Sequence, residues 1–381
     1  MSGCESAVQA NARLRHLVGG GARELAVGFD TPTRTGLDSP APAAFGLVGH
    51  RGVPVDSIDD MRVLLGGLPL ARITVSLATD TCAAPLLVLY RLVAEEHGAP
   101  AGRLAGSVGN DVLTELLLAD PGPFPLRASL RLARDVCAYG LAELPRWQCL
   151  TVRGHRLAGA GADPGQEIAF TVAAGAEYLL TAAAAGLDPA AVAARTALCV
   201  SAARTGRGTR AKLRAVRRLW ADTVHARLGP APTPRLHVVV PGHALAAAPR
   251  AAGLEAAAAD LLERVGRLGG LLAVLERHRG PELFGVHGTG RPAAHPRLAR
   301  PWTSSHAVRA RQTERLAKLR AWRVQPAVDE SLLRLCGAAR GDGNILHPLR
   351  EALASRATLG EVWTVLRETW APNPRPSPTE P

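Results

Sequence analysis

Along the first two-thirds of the chain, short apolar runs alternate with longer Ala/Leu-rich stretches of helical period. Six runs read as strands: Glu24–Asp30, Ile73–Ala78, Leu104–Gly109, Cys149–Gly154, Ala197–Ala202 and Leu236–Gly242. Each is short, apolar and closed by Gly, Ala or Asp, the pattern of strands buried on both faces. Between them the spacing predicts helices over Ser57–Gly66, Ala84–His97, Asp111–Leu118, Leu126–Glu143, Gln166–Ala185 and Arg210–Leu228. This alternation predicts an α/β fold with a parallel sheet and crossover helices, either a TIM-type β/α barrel or an open, doubly wound sheet. Six strands fall short of the eight of a complete barrel, so a barrel here is expected to be incomplete.

After Val240 the pattern changes. Leu254–Arg277 reads as one amphipathic helix, and Gly280–Pro301, rich in Gly, Pro and His, as a linker. Helices follow over Val308–Arg323, Glu330–Arg340, Pro348–Leu353 and Leu359–Trp370, before a Pro-rich tail, APNPRPSPTEP, that reads as disordered. The expected partition is an N-terminal extension (1–22), a β/α domain (23–278), a linker (279–305), a helical C-terminal segment (306–371) and the tail (372–381). There is no internal repeat.

Composition narrows the possibilities. With 381 residues, 47% of them hydrophobic, the chain is long and apolar enough for a large core. No run of about 18 apolar residues stands out as a membrane span. The start, MSGCESAVQANARLRHLVGGG, lacks an apolar export core, so a cytoplasmic location is expected. Six scattered cysteines without a CxxC pair read as buried thiols. The net charge of +12 suggests nucleic acid, but only two of the 45 basic residues are lysines, the arginines are dispersed, and aromatics are 4%. Such a chain has few base-stacking platforms, and nucleic acid is disfavoured. The densest basic stretch, Arg204–Arg218, is open to three readings: a solvated helix face, a phosphate site or a nucleic-acid contact. HExxH, GxSxG and Walker patterns are absent. Neither Val286–Pro292 nor Arg204–Arg210 has the spacing of a nucleotide loop, and the histidines predict no metal site.

One resemblance is specific. Val27–Asp38 (VGFDTPTRTGLD) and the DSIDDMRVLLGGLPL after Val55 are similar to FDLPTxxGYDSD…AIDSIxDMxxLFxGIPL of the methylmalonyl-CoA mutase family. The segments TVSLATDTCAAPLLVLYRLVAEEHGA after Ile73, AGSVGNDVLTEL after Leu104, and Gly154–Tyr178 resemble further stretches of that family's barrel in order. The match runs from about Gly21 to Val224. It resumes at Val265–Arg277, similar to a post-barrel helix, and in the segments from Arg315 and Gly341, which resemble the linker toward a cobalamin domain. The last barrel strands are expected to be deleted around Pro241–Leu254, and no DxHxxG cobalamin motif follows.

In that family acyl-CoA threads the barrel and adenosylcobalamin caps it, starting a radical 1,2-rearrangement. The resemblance implies that the family's aromatic wedge falls on Leu37, its Tyr-His pair on His155 and Arg156, a glutamine on Gly109, and the carboxylate-binding arginine on Ala119. No catalytic residue is therefore assigned. Acyl-CoA contacts are expected from Ser76, Asn110, Asp111, His155 and Arg156, with helix capping as the competing role of Asn110 and Asp111. Asp56 reads as a cap. As adjacent residues of a strand, His155 and Arg156 would point to opposite faces. Three functions stay open: a degenerate, non-catalytic mutase-like subunit or scaffold; an active acyl-CoA isomerase borrowing cobalamin from a partner chain; and a basic module with no acyl-CoA role.

Overall fold

The structure, a computed structural model, describes residues 5–79, 81–118, 123–202, 206–230, 234–239, 253–277 and 303–370. Its strands are β1 (Glu24–Gly28), β2 (Thr74–Ala78), β3 (Ala105–Val108), β4 (Arg146–Gln148), β5 (Leu150–Val152), β6 (Thr196–Ser201) and β7 (Arg235–Val239). All pairs are parallel, in the orders β1-β2-β3-β4 and β5-β6-β7. The two groups are halves of one wall. β4 and β5 are separated only by Cys149, and the Thr151 N–H donates to the Gly109 carbonyl at 2.8 Å, carrying the β3 ladder past the break. At the break the Cys149 thiol is buried against Gly140, where an added Cβ would lie 2.2 Å from Sγ.

The six predicted strands therefore all have counterparts, with Cys149–Gly154 corrected to the broken run of β4 and β5. Their consecutive order is that of a barrel wall, whereas a doubly wound sheet reverses direction at a switch point. No pairing between β7 and β1 occurs among the described residues.

The helices are α1 (Ala7–Gly19), α2 (Thr31–Thr35), α3 (Ile58–Leu65), α4 (Ala83–Glu96), α5 (Val112–Leu117), α6 (Leu126–Glu143), α7 (His155–Gly159), α8 (Pro164–Ala184), α9 (Pro189–Ala194) and α10 (Gly206–Leu228). Beyond the sheet lie α11 (Leu254–Arg267), α12 (Leu271–Arg277), α13 (Thr303–Trp322), α14 (Gln325–Arg340), α15 (Leu346–Ala354) and α16 (Leu359–Trp370). Alternation sends Leu25, Val27, Val75, Leu77, Val108 and Trp147 to the helix-covered face, all nearly inaccessible. Trp147 lies across Gly106 and meets the Tyr90 ring of α4 at 5.1 Å. A Cβ at Gly106 would lie 2.4 Å from that indole, so only glycine admits it.

The C-terminal helices share this core. Leu346, Leu349, Ala352 and Leu353 of α15 are fully buried, and Trp363 of α16 stacks on Phe124 at 4.5 Å. Gly36 adopts φ +67°, and its missing side chain makes room for the Trp363 ring, 2.1 Å from where a Cβ would stand.

Several expectations are corrected. Leu254–Arg277 is two helices, because Gly269 and Gly270 both take positive φ (+96° and +91°) and interrupt the ladder. The cap of α3 is Ser57, with Asp60 accepting its backbone N–H at 3.2 Å; Asp56 instead accepts from Ser39. In the N-terminal segment, α1 buries Ala7, Ala10 and Leu14. Of the described helices, α8 alone is long and apolar enough to cross a membrane, and most of it is buried inside the fold. The described cysteines, Cys82, Cys137, Cys149, Cys199 and Cys336, are free thiols. Cys4, the Gly280–Pro301 stretch and the tail lie outside the described residues.

At the end of β6 one of the two lysines is buried. Lys212 Nζ donates to Glu167 Oε2 at 2.6 Å, Ser201 Oγ at 2.8 Å and the Ser201 carbonyl at 3.1 Å, tying α8 and α10 to the strand. Removing one partner leaves a buried charge without its counterion. Lys212→Met is expected to cost about 3–5 kcal/mol, and pairing it with Glu167→Met should recover much of that loss. Chemical denaturation of both variants checks this; a single-variant loss under about 1 kcal/mol would refute it.

Candidate functional site

On the face of the sheet away from the helices, Ala26, Ser76, Ser107 and Gln148 stand in register across β1 to β4. Gln148 Nε2 continues the row by donating to Thr151 Oγ1 at 2.7 Å. Ser76 and Ser107 are half-buried, and their hydroxyls lie 2.9 Å apart. A β/α barrel ordinarily fills this face with bulky branched side chains. Here it carries small and polar ones, which leaves depth for a thin ligand with polar groups along its length.

The carboxyl ends of β3 and β5 supply the charged groups. Asn110 follows β3 with φ +61° and donates its amide to the carbonyls of Ala133 at 3.0 Å and Cys149 at 3.2 Å. Asp111 is fully buried and caps α5 by accepting the Thr114 N–H at 3.2 Å. It also accepts the Arg153 N–H at 2.7 Å and the Tyr178 hydroxyl at 3.1 Å. These contacts occupy Asn110 and Asp111 with backbone groups and the Tyr178 hydroxyl.

Past β5 the chain turns at once into α7. A Cβ at Gly154 would collide with Thr171 Oγ1, so glycine permits the tight passage. His155 and Arg156 consequently lie on a helical turn, and the opposite-face expectation for a strand is corrected. Arg156 is ion-paired with Glu115 of α5, and Arg153 approaches the same carboxylate at 3.6 Å. Burial lowers the Arg156 pKa, with Asp111 opposing and Arg34 assisting. Arg153 is lowered to about 10, chiefly by burial and then by Arg34. His155 is lowered to about 4 by burial and by the Arg153 charge, and its Nδ1 is buried without a hydrogen-bond partner. Its imidazole is therefore neutral at physiological pH. Burial also pushes the Cys199 thiol up to about 11.

The remaining positions separate. Gly109 accepts the Thr151 N–H in the ladder. Leu37 lines a surface cleft with Arg320, Leu332, Val365 and Arg367, among the C-terminal helices. Ala119 lies outside the described residues. Arg207, Arg210, Arg214 and Arg217 form an exposed stripe on α10. Among the described residues no group of three His, Cys, Asp or Glu side chains is arranged to hold a metal ion. The sequence reading missed Arg153, Glu115 and Tyr178; the available signal was position alone, a charged residue ending a strand and another one turn into the following helix.

The depressed His155 pKa has a defined sign. The folded chain binds this proton less readily than the unfolded chain, whose imidazole titrates near 6.5, so stability present above about pH 6.5 is lost as pH falls toward 4. The His155 ring resonances are expected to titrate well below pH 6 in an NMR series, assigned by loss of the signal in His155→Gln. A midpoint near 6.5 would contradict the buried, neutral assignment.

Comparison with known proteins adds what geometry cannot. A family profile described as methylmalonyl-CoA mutase matches residues 1–245 and 293–372. The unmatched interval contains α11 and α12, including Val265–Arg277. The chain is 39% identical over 223 residues to the methylmalonyl-CoA mutase large subunit of Streptomyces virginiae, covering 58% of this chain and 30% of that protein. It is 36% identical over 229 residues to the large subunit of Propionibacterium freudenreichii subsp. shermanii, covering 60% and 31%. A probable mitochondrial methylmalonyl-CoA mutase of Caenorhabditis elegans is 35% identical over the same length and coverage. The chain thus spans under a third of the length of these relatives. With the family profile matched over most of its residues, the chain belongs to the methylmalonyl-CoA mutase family.

Proposed function

We propose that this chain is a non-catalytic subunit or scaffold of an acyl-CoA mutase system, built on a wall of consecutive parallel strands. The observation that carries this reading is Arg156. Where the family resemblance implies an imidazole, this chain has a guanidinium ion-paired with Glu115. Guanidinium stays protonated at physiological pH and accepts no hydrogen bond, so it cannot exchange a proton as imidazole does. Leu37, at the position of the aromatic wedge, lines a cleft among the C-terminal helices.

These residues do not fit a corrinoid-facing site. A charged pair stands in place of a neutral ring, and the chain's own side chains supply no step through adenosylcobalamin. In this reading that cofactor would be held by a cobalamin domain of a partner, and no residue described above is assigned to it. The row of Ala26, Ser76, Ser107, Gln148 and Thr151 supports retained binding of a thin thioester such as acyl-CoA. A single observation favours the active alternative: His155 supplies a neutral imidazole one residue away, with Nδ1 lacking a protein partner.

The purified chain is expected to bind acyl-CoA in calorimetric titration and to co-purify with a mutase subunit or cobalamin-domain protein. It should give no carbon-skeleton rearrangement when adenosylcobalamin and such a partner are added. Turnover that His155→Gln abolishes would establish the active alternative; failure to bind any acyl-CoA would remove both.

A further inference from the structure

The carboxylate of Asp56 is 1% exposed, yet among the described residues no cation lies within ion-pair distance of it. Its Oδ1 accepts the Ser39 N–H at 2.9 Å and the Ser39 hydroxyl at 3.1 Å, while Oδ2 meets the Gln312 amide nitrogen of α13 at a long 3.4 Å. A second buried carboxylate is adjacent: Asp60 Oδ2 accepts the Asp56 N–H at 2.9 Å. The surrounding charges are already engaged. On the turn after α2, Asp38 is held by Arg320 at 2.8 Å. On α3, Asp60 pairs with Arg315 at 3.1 Å, and Asp59 pairs with Arg62, with Arg356 at 3.8 Å. From α13, Arg309 donates to the carbonyls of Ser39 and Pro40. From α16, Glu361 pairs with Arg323 and Arg320.

A buried carboxylate beside another, without a counterion, is favoured in its neutral form. Burial first, then the charges of Asp60 and Asp38, raise the Asp56 pKa well above the ordinary carboxylate range. Gln312 suits either state, since its amide has a donor and an acceptor end and half a turn exchanges them.

We propose that Asp56 holds a proton while α13 is seated on the barrel wall, and that its ionisation loosens α13, so that the C-terminal helices dock through a proton-linked clasp. When α13 lifts, Asp56 meets water and regains an ordinary carboxylate pKa of about 4. Above that pH the seated state holds the extra proton. Seating is then strongest below the ordinary range and weakens by up to about tenfold per pH unit until Asp56 ionises in place.

Hydrogen exchange of the intact chain between about pH 5 and 9, corrected for intrinsic rates and referenced to α4, reads this directly. Protection of α13 is expected to fall with rising pH in the wild type. In Asp56→Asn, neutral throughout, it should stay level and exceed the wild type at the alkaline end. Equal pH dependence in both proteins, or none in the wild type, overturns the proposal. If Asp56→Asn does not fold, carboxyl-carbon NMR of the wild type decides: titration above the ordinary range supports the clasp, and titration within it refutes it.

Discussion

Parallel strands in consecutive order leave only one face of the sheet to the crossover helices, and the rest of the molecule depends on that asymmetry. The covered face takes the bulk: Leu25, Val27, Val75, Leu77 and Trp147 drive burial, and Gly106 exists to let the indole lie flat. At roughly 25 cal/mol per Å² of apolar area, the aromatic and branched side chains on this side dominate the folding energy. The other face is relieved of packing duty, and so tolerates Ala26, Ser76 and Ser107. Small polar side chains and a stable fold are compatible here because the packing is carried by the opposite side of the same strands.

The C-terminal helices meet this scaffold through matched omissions. Gly36 leaves room for Trp363, while Gly360 leaves room for the Asp38 carboxylate, which accepts the Gly360 N–H at 2.8 Å. Gly175 does the same for Trp220 between α8 and α10. A methyl group at any of these positions would meet a ring or a carboxylate at under 3 Å, a contact that forces the neighbouring side chain or the backbone to shift. The polar groups between these packed surfaces are consequently sealed from water, which is why Asp56 and Asp60 lie in an environment that penalises charge.

Much of this was legible in the sequence, and the failures share a cause. Runs such as ITVSLA and the span Leu126–Glu143 carry strong periodic signals, and the latter forms a helix over those same residues. What misled was contact between distant segments. At the break the Cys149 thiol docks beside Gly140, and no strand-level pattern encodes that contact. Helix α1 was overlooked because it buries mainly alanines, whose apolar signal is weak in isolation. Ser57 caps α3 because the Asp56 side chain turns away to Ser39, a partner 17 residues earlier. For the site, the sequence pointed to Arg156 and His155, but only the fold brings Glu115 to the guanidinium and sets His155 at the start of a helix.

Asn110 and Asp111 spend their polar groups on contacts within the chain. Asp111 caps α5 and fixes the backbone at Arg153; Asn110 ties β3 to α6 and to the break at Cys149. Such residues answer to the folding equilibrium, since an unpaired buried amide or carboxylate costs free energy whether or not any substrate is turned over. The side chains at positions 37 and 156 answer to no comparable constraint from the core, because both are only partly buried. Leu37 lines a cleft among the C-terminal helices, and the Arg156 guanidinium pairs with Glu115. Asn110 and Asp111 are therefore held by the folding equilibrium itself, whereas Leu37 and Arg156 make contacts that the buried core does not require.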